Sequence, residues 1–523
     1  MVFVYARRIC DLFLQKRKLR ASFAGRLKPG SRKTARVSAV GSIALLLLAG
    51  CKPVGPNYNR PGFSAPAAYK ETGASAVAPP PNPAGGAWRP ADPSDGMLKG
   101  KWWEIYGDPQ LNRLEERITT NNVQLKSALE TYLAARDQVS AVRANLYPTL
   151  AAAVTPEVVK NSANAPNSSA SMAGANADLV IAGQASWEPD FWGRIRRTVE
   201  QASAQAQASA AEAANVDLTL HAEMATDYFA LRGIDAQIRL LTATVADLER
   251  QLELTQRRFT GGVATAVDVA QAETQLETVR AQLVDLGVAR AQYEHAVGTI
   301  ANYDLSSFRI PPSPLGQPPE MALPRIPLGA PSQLLERRPD IAAAERLAKA
   351  ANAQIGIAVS AFYPTITLGA TGGFESAHPG TWIQGPSSLW TLGAQASELL
   401  FDAGQRHALT GVARHSYEAQ ADAYRNTVFL AFEDVEDQLA SLRILEQEAQ
   451  VEQSAVRAAQ RSFDLSNARY KGGVTNYLEV LTAEQTLLQD QVAAIDIASR
   501  QFAASVSLVR ALGGGWDAAQ LPQ

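Results

Sequence analysis

Two stretches decide the fold: RRFTGGVATAVDVAQAE, Arg257–Glu273, and ARYKGGVTNYLEVLTAE, Ala468–Glu484. They are two copies of one unit. Gly261 and Gly472 lie 211 positions apart, and at that offset 8 of the 19 residues from Arg258 to Leu276 are identical. The identities include Arg258/Arg469, Gly262/Gly473, Val263/Val474 and Glu273/Glu484, while Phe259/Tyr470 and Asp268/Glu479 are conservative pairs. The offset holds upstream, at Gly193/Gly404 and Leu231-Arg232/Leu442-Arg443. It becomes 216 at NLYPTL (Asn145) and AFYPTI (Ala361), as an insertion of 5 residues in the first copy, between Leu150 and Ala185, requires. A register kept over so long a span marks an internal duplication.

Around the two stretches the order of elements repeats. Each copy begins with a helix, Leu111 to about Leu146 and Gln333 to about Phe362, ended by Tyr147-Pro148 and Tyr363-Pro364, because the residue before proline is pushed out of the helical region. Two strands follow. In TITLGATGGF, Ile366, Leu368, Ala370, Gly372 and Phe374 share one face, and Thr365, Thr367, Gly369 and Thr371 the other. In LWTLGAQAS, Trp390, Leu392, Ala394 and Ala396 oppose Thr391, Gly393, Gln395 and Ser397. The first copy alternates likewise, with Leu179, Ile181, Gly183, Ala185 and Trp187 against Val180, Ala182, Gln184 and Ser186. Period-two alternation fits a soluble sheet over a core or a membrane barrel with lipid outside and water within.

Then comes a helix of unusual length. Gly193 to Phe259 is 67 residues with no proline and one internal glycine, Gly233. At 1.5 Å per residue it spans roughly 100 Å. Its apolar positions, Ile238, Leu241, Val245, Leu248, Leu252, Thr255 and Phe259, alternate three and four apart. The spacing resumes after the Gly-Gly break at Val269, Ala272, Leu276, Val279, Leu283 and Leu286. This is coiled-coil spacing, and it predicts an antiparallel hairpin in each copy. So long a hairpin buries little by itself and needs neighbours.

The 523-residue chain is 46% hydrophobic and 19% charged, with a formal net charge of −2. That charge argues against a generic nucleic-acid binder, which needs a basic surface. The only cysteines are Cys10 and Cys51, so no disulfide framework is expected. Arg32, Lys33 and Arg36 precede VSAVGSIALLLLAGC, Val37–Cys51: a basic region, a short apolar run, and small residues before a cysteine. Past it no run of 18 apolar residues occurs, so any membrane span must be a closed β-barrel. The organisation expected is a signal peptide over 1–50, a Pro/Ala-rich tether over 51–100, repeat one over 101–304, a proline-rich linker over 305–332, repeat two over 333–515 and a tail over 516–523.

No catalytic or metal-binding pattern emerges. The five histidines, His221, His295, His378, His407 and His415, show neither zinc-finger nor HExxH spacing. No phosphate loop follows the Gly-Gly pairs, and no G-x-S-x-G elbow is present. No enzyme activity, cofactor or metal is expected.

Several stretches together resemble the TolC-type outer-membrane efflux proteins, in their lipoprotein branch. They are WWEIYGDPQLNRL at Trp102, EPDFWGRIRR at Glu188, LLERRPDIAAAE at Leu334, and the two Gly-Gly stretches. The resemblance runs from LAGC, Leu48–Cys51, to the C-terminus. It implies a mainly α protein with a membrane β-barrel: a homotrimer whose three sets of four strands close a 12-strand barrel on an α-helical tunnel, with the proline-rich linker in an equatorial belt. It implies a passive duct for small-molecule export in the outer membrane of a Gram-negative bacterium, anchored by lipid on Cys51. The Lys52 that follows fits outer-membrane sorting. The implied partners are outer-membrane lipid, a periplasmic adaptor protein and an inner-membrane pump of the RND type. Phe259, Gly261, Gly262, Val263, Asp268, Tyr470, Gly472, Gly473 and Val474 would form the adaptor-docking tips. Tyr470, Thr475, Leu478, Glu479 and Thr482 would form the gate, in which a Glu479 ring favours cations. Glu479 is equally readable as a solvated carboxylate at a helix N-terminus, and each tip as an ordinary turn. Relatives often carry Asp where this chain has Thr482. The rival classes are a lipid-anchored periplasmic adaptor and a coiled-coil stalk protein.

Overall fold

The computed structural model describes residues 52–63, 65–66, 68–72, 100–160, 162, 175–313, 315, 323–324, 326, 328 and 331–522. The signal peptide, Cys51 and most of the tether lie outside these. The fold belongs to the unit that begins at Val54.

Repeat one contains α1 (Pro109–Asn121), α2 (Val123–Ala144), β1 (Thr149–Lys160), β2 (Ala175–Trp187), α3 (Arg194–Thr260) and α4 (Ala266–Ile300). Repeat two contains a helical turn (Leu334–Arg337), α5 (Pro339–Ser360), β3 (Thr365–Ser376), β4 (Ser388–Ser397), α6 (Gln405–Lys471) and α7 (Tyr477–Ala511). The duplication extends to element lengths. Helices α3 and α6 each have 67 residues, α4 and α7 each 35, and α2 and α5 each 22.

One expectation is corrected. The first helix of each copy is not continuous but broken, at Asn122 and at Arg338. Both adopt extended backbone (φ −61, ψ 126 and φ −96, ψ 123). Asn122 turns its side chain back to accept from Leu125 N at 2.9 Å, starting α2 afresh. Arg338 precedes Pro339, which excludes helical backbone there. The long helices start alike in both copies. Gly193 and Gly404 are left-handed (φ 81 and φ 91). Asp190 accepts from Ile195 N and Arg196 N at 3.1 and 2.9 Å, and Asp402 from Gly404 N and Arg406 N at 3.0 and 3.1 Å. These carboxylates satisfy the orphan donors of each first turn.

The four strands form one antiparallel sheet in the order β1-β2-β3-β4. Its register joins the two copies through β2 and β3, with Ile181 opposite Phe374 and Ala185 opposite Ala370. Val154 lies opposite Ile181, and Gly372 opposite Trp390. Directly paired residues share a face, so the apolar rows of all four strands merge into one surface. Leu150, Val158, Trp390 and Leu392 are more than 70% exposed on it. The opposite face carries Thr155, Gln184, Thr371, Thr391, Thr367 and Gln395. A large apolar sheet face left bare on a protein surface marks contact with lipid or a partner.

Below the sheet the helices share several cores. Met224, Tyr228, Phe229 and Leu231 of α3 meet Trp102, Trp103, Leu111, Ile118, Val297, Phe502 and Val506. Ile310 and Leu315 of the proline-rich passage insert into the same core. A second core joins Ile341, Tyr424, Val428, Val435 and Leu508. Towards the far ends, Leu241, Leu248, Leu276, Val279 and Leu488 pack together, flanked by Val245, Leu252, Leu283 and Leu286. These are the expected coiled-coil positions, now shown to meet α7 of the other copy as well. Among the described residues one helix, α7, is long and apolar enough to cross a membrane. Its Val480, Leu487, Ile497, Phe502 and Val506 are instead buried among helices.

Candidate functional site

The candidate site is the pair of hairpin tips, where α3 turns into α4 and α6 into α7. Both turns have one geometry. Gly262 N donates to Phe259 O at 2.9 Å and Val263 N to Arg258 O at 2.8 Å. In the second copy Gly473 N donates to Tyr470 O and Val474 N to Arg469 O, both at 3.0 Å. This is the Schellman termination, whose C′ residue must be left-handed. Gly262 (φ 73) and Gly473 (φ 72) supply that conformation without steric cost.

The returning helices are capped differently. Thr265 and Asp268 form a capping box: Asp268 N donates to Thr265 Oγ1 at 3.3 Å, and Thr265 N to Asp268 Oδ2 at 2.8 Å. In the second copy Asn476 is the cap and accepts from Glu479 N at 3.3 Å. The Glu479 carboxylate is thereby released. It accepts from Arg469 Nη1 at 2.9 Å and is hydrogen-bonded by Thr475 Oγ1.

The tips are also joined to each other. Arg258 Nη1 donates to Tyr470 O at 2.7 Å, and its guanidinium lies 4.4 Å from the Tyr470 ring centre. Tyr470 packs edge-on to Tyr477 at 5.5 Å, and the two form a small core with Ala272 and Val480.

The expected site residues therefore separate into groups. Phe259, Val263 and Val474 are exposed apolar side chains at the ends, Val263 and Val474 at 69% and 71%. Gly261, Gly262, Gly472 and Gly473 form the turns, and Asp268 serves as a cap. Leu478, Glu479 and Thr482 line a shallow groove between α6 and α7 with Ser466, Asn476 and Thr486. Tyr470, expected at both the docking tip and the gate, is only 6% exposed and lies between the hairpins. Three residues of this joint were not singled out from the sequence: Arg258 as a cross-hairpin contact, Tyr477, and Gln251 of α3, whose Oε1 accepts from the Tyr477 hydroxyl at 3.4 Å. The one signal was the Phe259/Tyr470 difference, which marks where the copies pack unlike one another.

A second polar cluster lies far from the tips. His221 Nδ1 is 2.6 Å from Glu115 Oε2, both buried, and Trp103 stacks on the imidazole at 4.3 Å. Burial alone pushes His221 down, but its bonds to Asp217 and Glu115 outweigh burial and hold it up at about 9. Among the described residues no group of three or more His, Cys, Asp or Glu is arranged to hold a metal.

An exposed sheet with one apolar and one polar face, set on paired coiled-coil hairpins, fits a membrane channel subunit of the outer-membrane type. A sequence profile described as outer membrane efflux protein matches residues 114–302 and 330–514. The chain is 31% identical over 478 residues to the outer membrane protein OprJ of Pseudomonas aeruginosa, covering 91% of this chain and 96% of that one. It is 30% identical over 484 residues to the toluene efflux pump outer membrane protein TtgC of Pseudomonas putida, covering 91% and 95%. The solved outer-membrane channel OprN superposes with a TM-score of 0.79 at 25% identity, over 88% of this chain and 99% of that one. The protein belongs to the outer membrane efflux protein family. It is an outer-membrane channel component of an efflux system and not an enzyme, and the adaptor and stalk readings fall.

Proposed function

We infer that the protein acts as a trimeric passive duct for small molecules, docked at its periplasmic tips by an adaptor and driven by a separate inner-membrane pump of the RND type. The observation that carries this reading is the open sheet. Among the described residues its edge strands β1 and β4 have one free edge each, and lipid satisfies no backbone N–H or C=O. Pairing between copies removes both edges. An even number of alternating strands lets β4 of one copy meet β1 of the next antiparallel. Membrane barrels begin near eight strands, so one chain is too small, and a closed ring of three supplies a barrel wide enough for a pore. The apolar face then meets lipid and the polar face meets water.

The exposed Phe259, Val263 and Val474 suit the tips to apolar contact with a helical adaptor. Threefold symmetry turns Leu478 into an apolar ring and Glu479 and Thr482 into polar ones, with Thr475 and Tyr470 bracing the turn behind them. Cys51, outside the described residues, carries the lipid that tethers the chain to the outer membrane. Native mass spectrometry in detergent tests the assembly, with a trimer expected and a monomer contradicting it. Planar-bilayer recording of wild type and Glu479→Ala tests the duct. Discrete channels with weaker cation preference in the variant are expected, and absence of channels under gate-opening substitutions contradicts the reading.

A further inference from the structure

The two copies carry the same glutamate at the same place, Glu273 on α4 and Glu484 on α7, yet their surroundings are opposite. Glu273 is exposed to solvent. Glu484 is only 5% exposed, and among the described residues its Oε2 has no hydrogen-bond partner. The hairpin itself therefore does not demand burial of this residue; packing of α7 on α3 imposes it. The carboxyl lies in a cleft of about 560 Å³ between α3, α6 and α7. Its direct partner among the described residues is Gln251 of α3, whose Nε2 donates to Glu484 Oε1 at 3.5 Å. Tyr477 donates in turn to Gln251 Oε1 at 3.4 Å.

We propose that Glu484 is a proton-operated latch between the two hairpins: protonated, it keeps the α3–α7 joint closed, and on losing its proton it loosens the joint and lets the tips part. A neutral carboxyl tolerates a position in which Oε2 is closed off from solvent at the wall of the cleft. A carboxylate there lacks the two or three donors that a buried charge requires. The charged and titratable groups that face it do not make up the deficit. From α3, Asp247 adds a like charge, and Arg250 is paired with Asp247. From α6, Tyr470 and Lys471 line the cleft. Asp268, at the start of α4, acts on Tyr477 beside it. Burial, and secondarily Asp247, push Glu484 up to about 7. Oε2 itself is shut off from solvent, and parting α3 from α7 brings it into the water of the cleft. The closed joint is most stable below the ordinary carboxylate range and weakens as pH rises to about 7. Within that window the loosened population grows about tenfold per pH unit, and it levels off above. This stands on the hairpin joint and holds whether or not the protein conducts.

The test is hydrogen exchange of the full-length protein in detergent from pH 5 to 8.5, corrected for intrinsic rates, in peptides covering Gln251–Thr255 and Tyr477–Leu488. Protection in the wild type falls up to about pH 7 and is flat beyond. In Glu484→Gln it is independent of pH and equal to the acid wild type. Glu273→Gln, the internal control, follows the wild type. Melting adds a second readout: Glu484→Gln matches the wild type at pH 5 and exceeds it at pH 8. A pH response surviving in Glu484→Gln, or none in the wild type, overturns the proposal.

Discussion

Arg258 of one hairpin donates to the carbonyl of Tyr470 in the other, and its guanidinium covers the Tyr470 ring. One side chain thus closes the last turn of the opposite copy's helix and packs on its aromatic. Its repeat partner Arg469 instead pairs with Glu479, with both side chains substantially exposed. Arg258→Ala is therefore expected to weaken the joint by roughly 2–3 kcal/mol, combining a charged hydrogen bond with a cation–π contact. Arg469→Ala removes a surface pair worth about 0.2–1 kcal/mol. Thermal melting of the two variants checks the difference. Arg258→Lys recovers only part, because an ammonium does not stack as a planar guanidinium does.

The turns give a second expectation. Gly262 and Gly473 are left-handed with no neighbour near enough to clash with a methyl group. Alanine at either site costs about 1–2 kcal/mol through backbone strain alone. The effect of the double variant is expected to be close to the sum, and denaturant or thermal titration of both singles and the double measures it.

The His221–Glu115 pair is buried against Trp103. Burial pushes Glu115 up to about 7 even beside the histidine, so in His221→Ala the carboxyl takes up a proton, and the expected cost is about 1–3 kcal/mol for a buried polar group without its hydrogen bond. The histidine is held up at about 9, above its ordinary value. Its stabilising contribution is therefore complete below about pH 6.5 and lost as pH rises through about 9. Melting of wild type against variant between pH 6 and 9.5 should show the gap narrowing at the alkaline end.

Asp235 anchors the proline-rich passage. It accepts from Arg232 at 2.9 Å, Arg290 at 2.8 Å and Ser313 N at 2.9 Å, with its side chain almost wholly buried. Asp235→Ala is expected to cost about 3–5 kcal/mol by stranding two arginines. It should also raise hydrogen exchange at the Ser313 amide, which loses its acceptor.

Much of this was legible because duplication reports on itself. The shared offset located both hairpins and both strand pairs, and period-two alternation assigned the faces that the register then aligned. The breaks at Asn122 and Arg338 were less visible. An Asn cap competes with helix only through a local side-chain bond, although Pro339 was a signal left unused. The placement of Tyr470 and Glu484 was not legible at all. Glu273 and Glu484 are one residue in one sequence context, and only the neighbouring hairpin decides which of them meets water. Gly-Gly turns announce themselves in the chain, but the contacts between turns do not.

The equal lengths of α3 and α6, and of α4 and α7, carry an evolutionary constraint. The two halves are length-locked. Deleting seven residues from each limb of both hairpins, α3 with α4 and α6 with α7, shortens the duct and leaves its rim level. The same deletion in one copy alone staggers neighbouring tips by roughly 10 Å and parts Arg258 from Tyr470. Related ducts of different reach are therefore expected to vary by matched, paired changes in both halves of the gene.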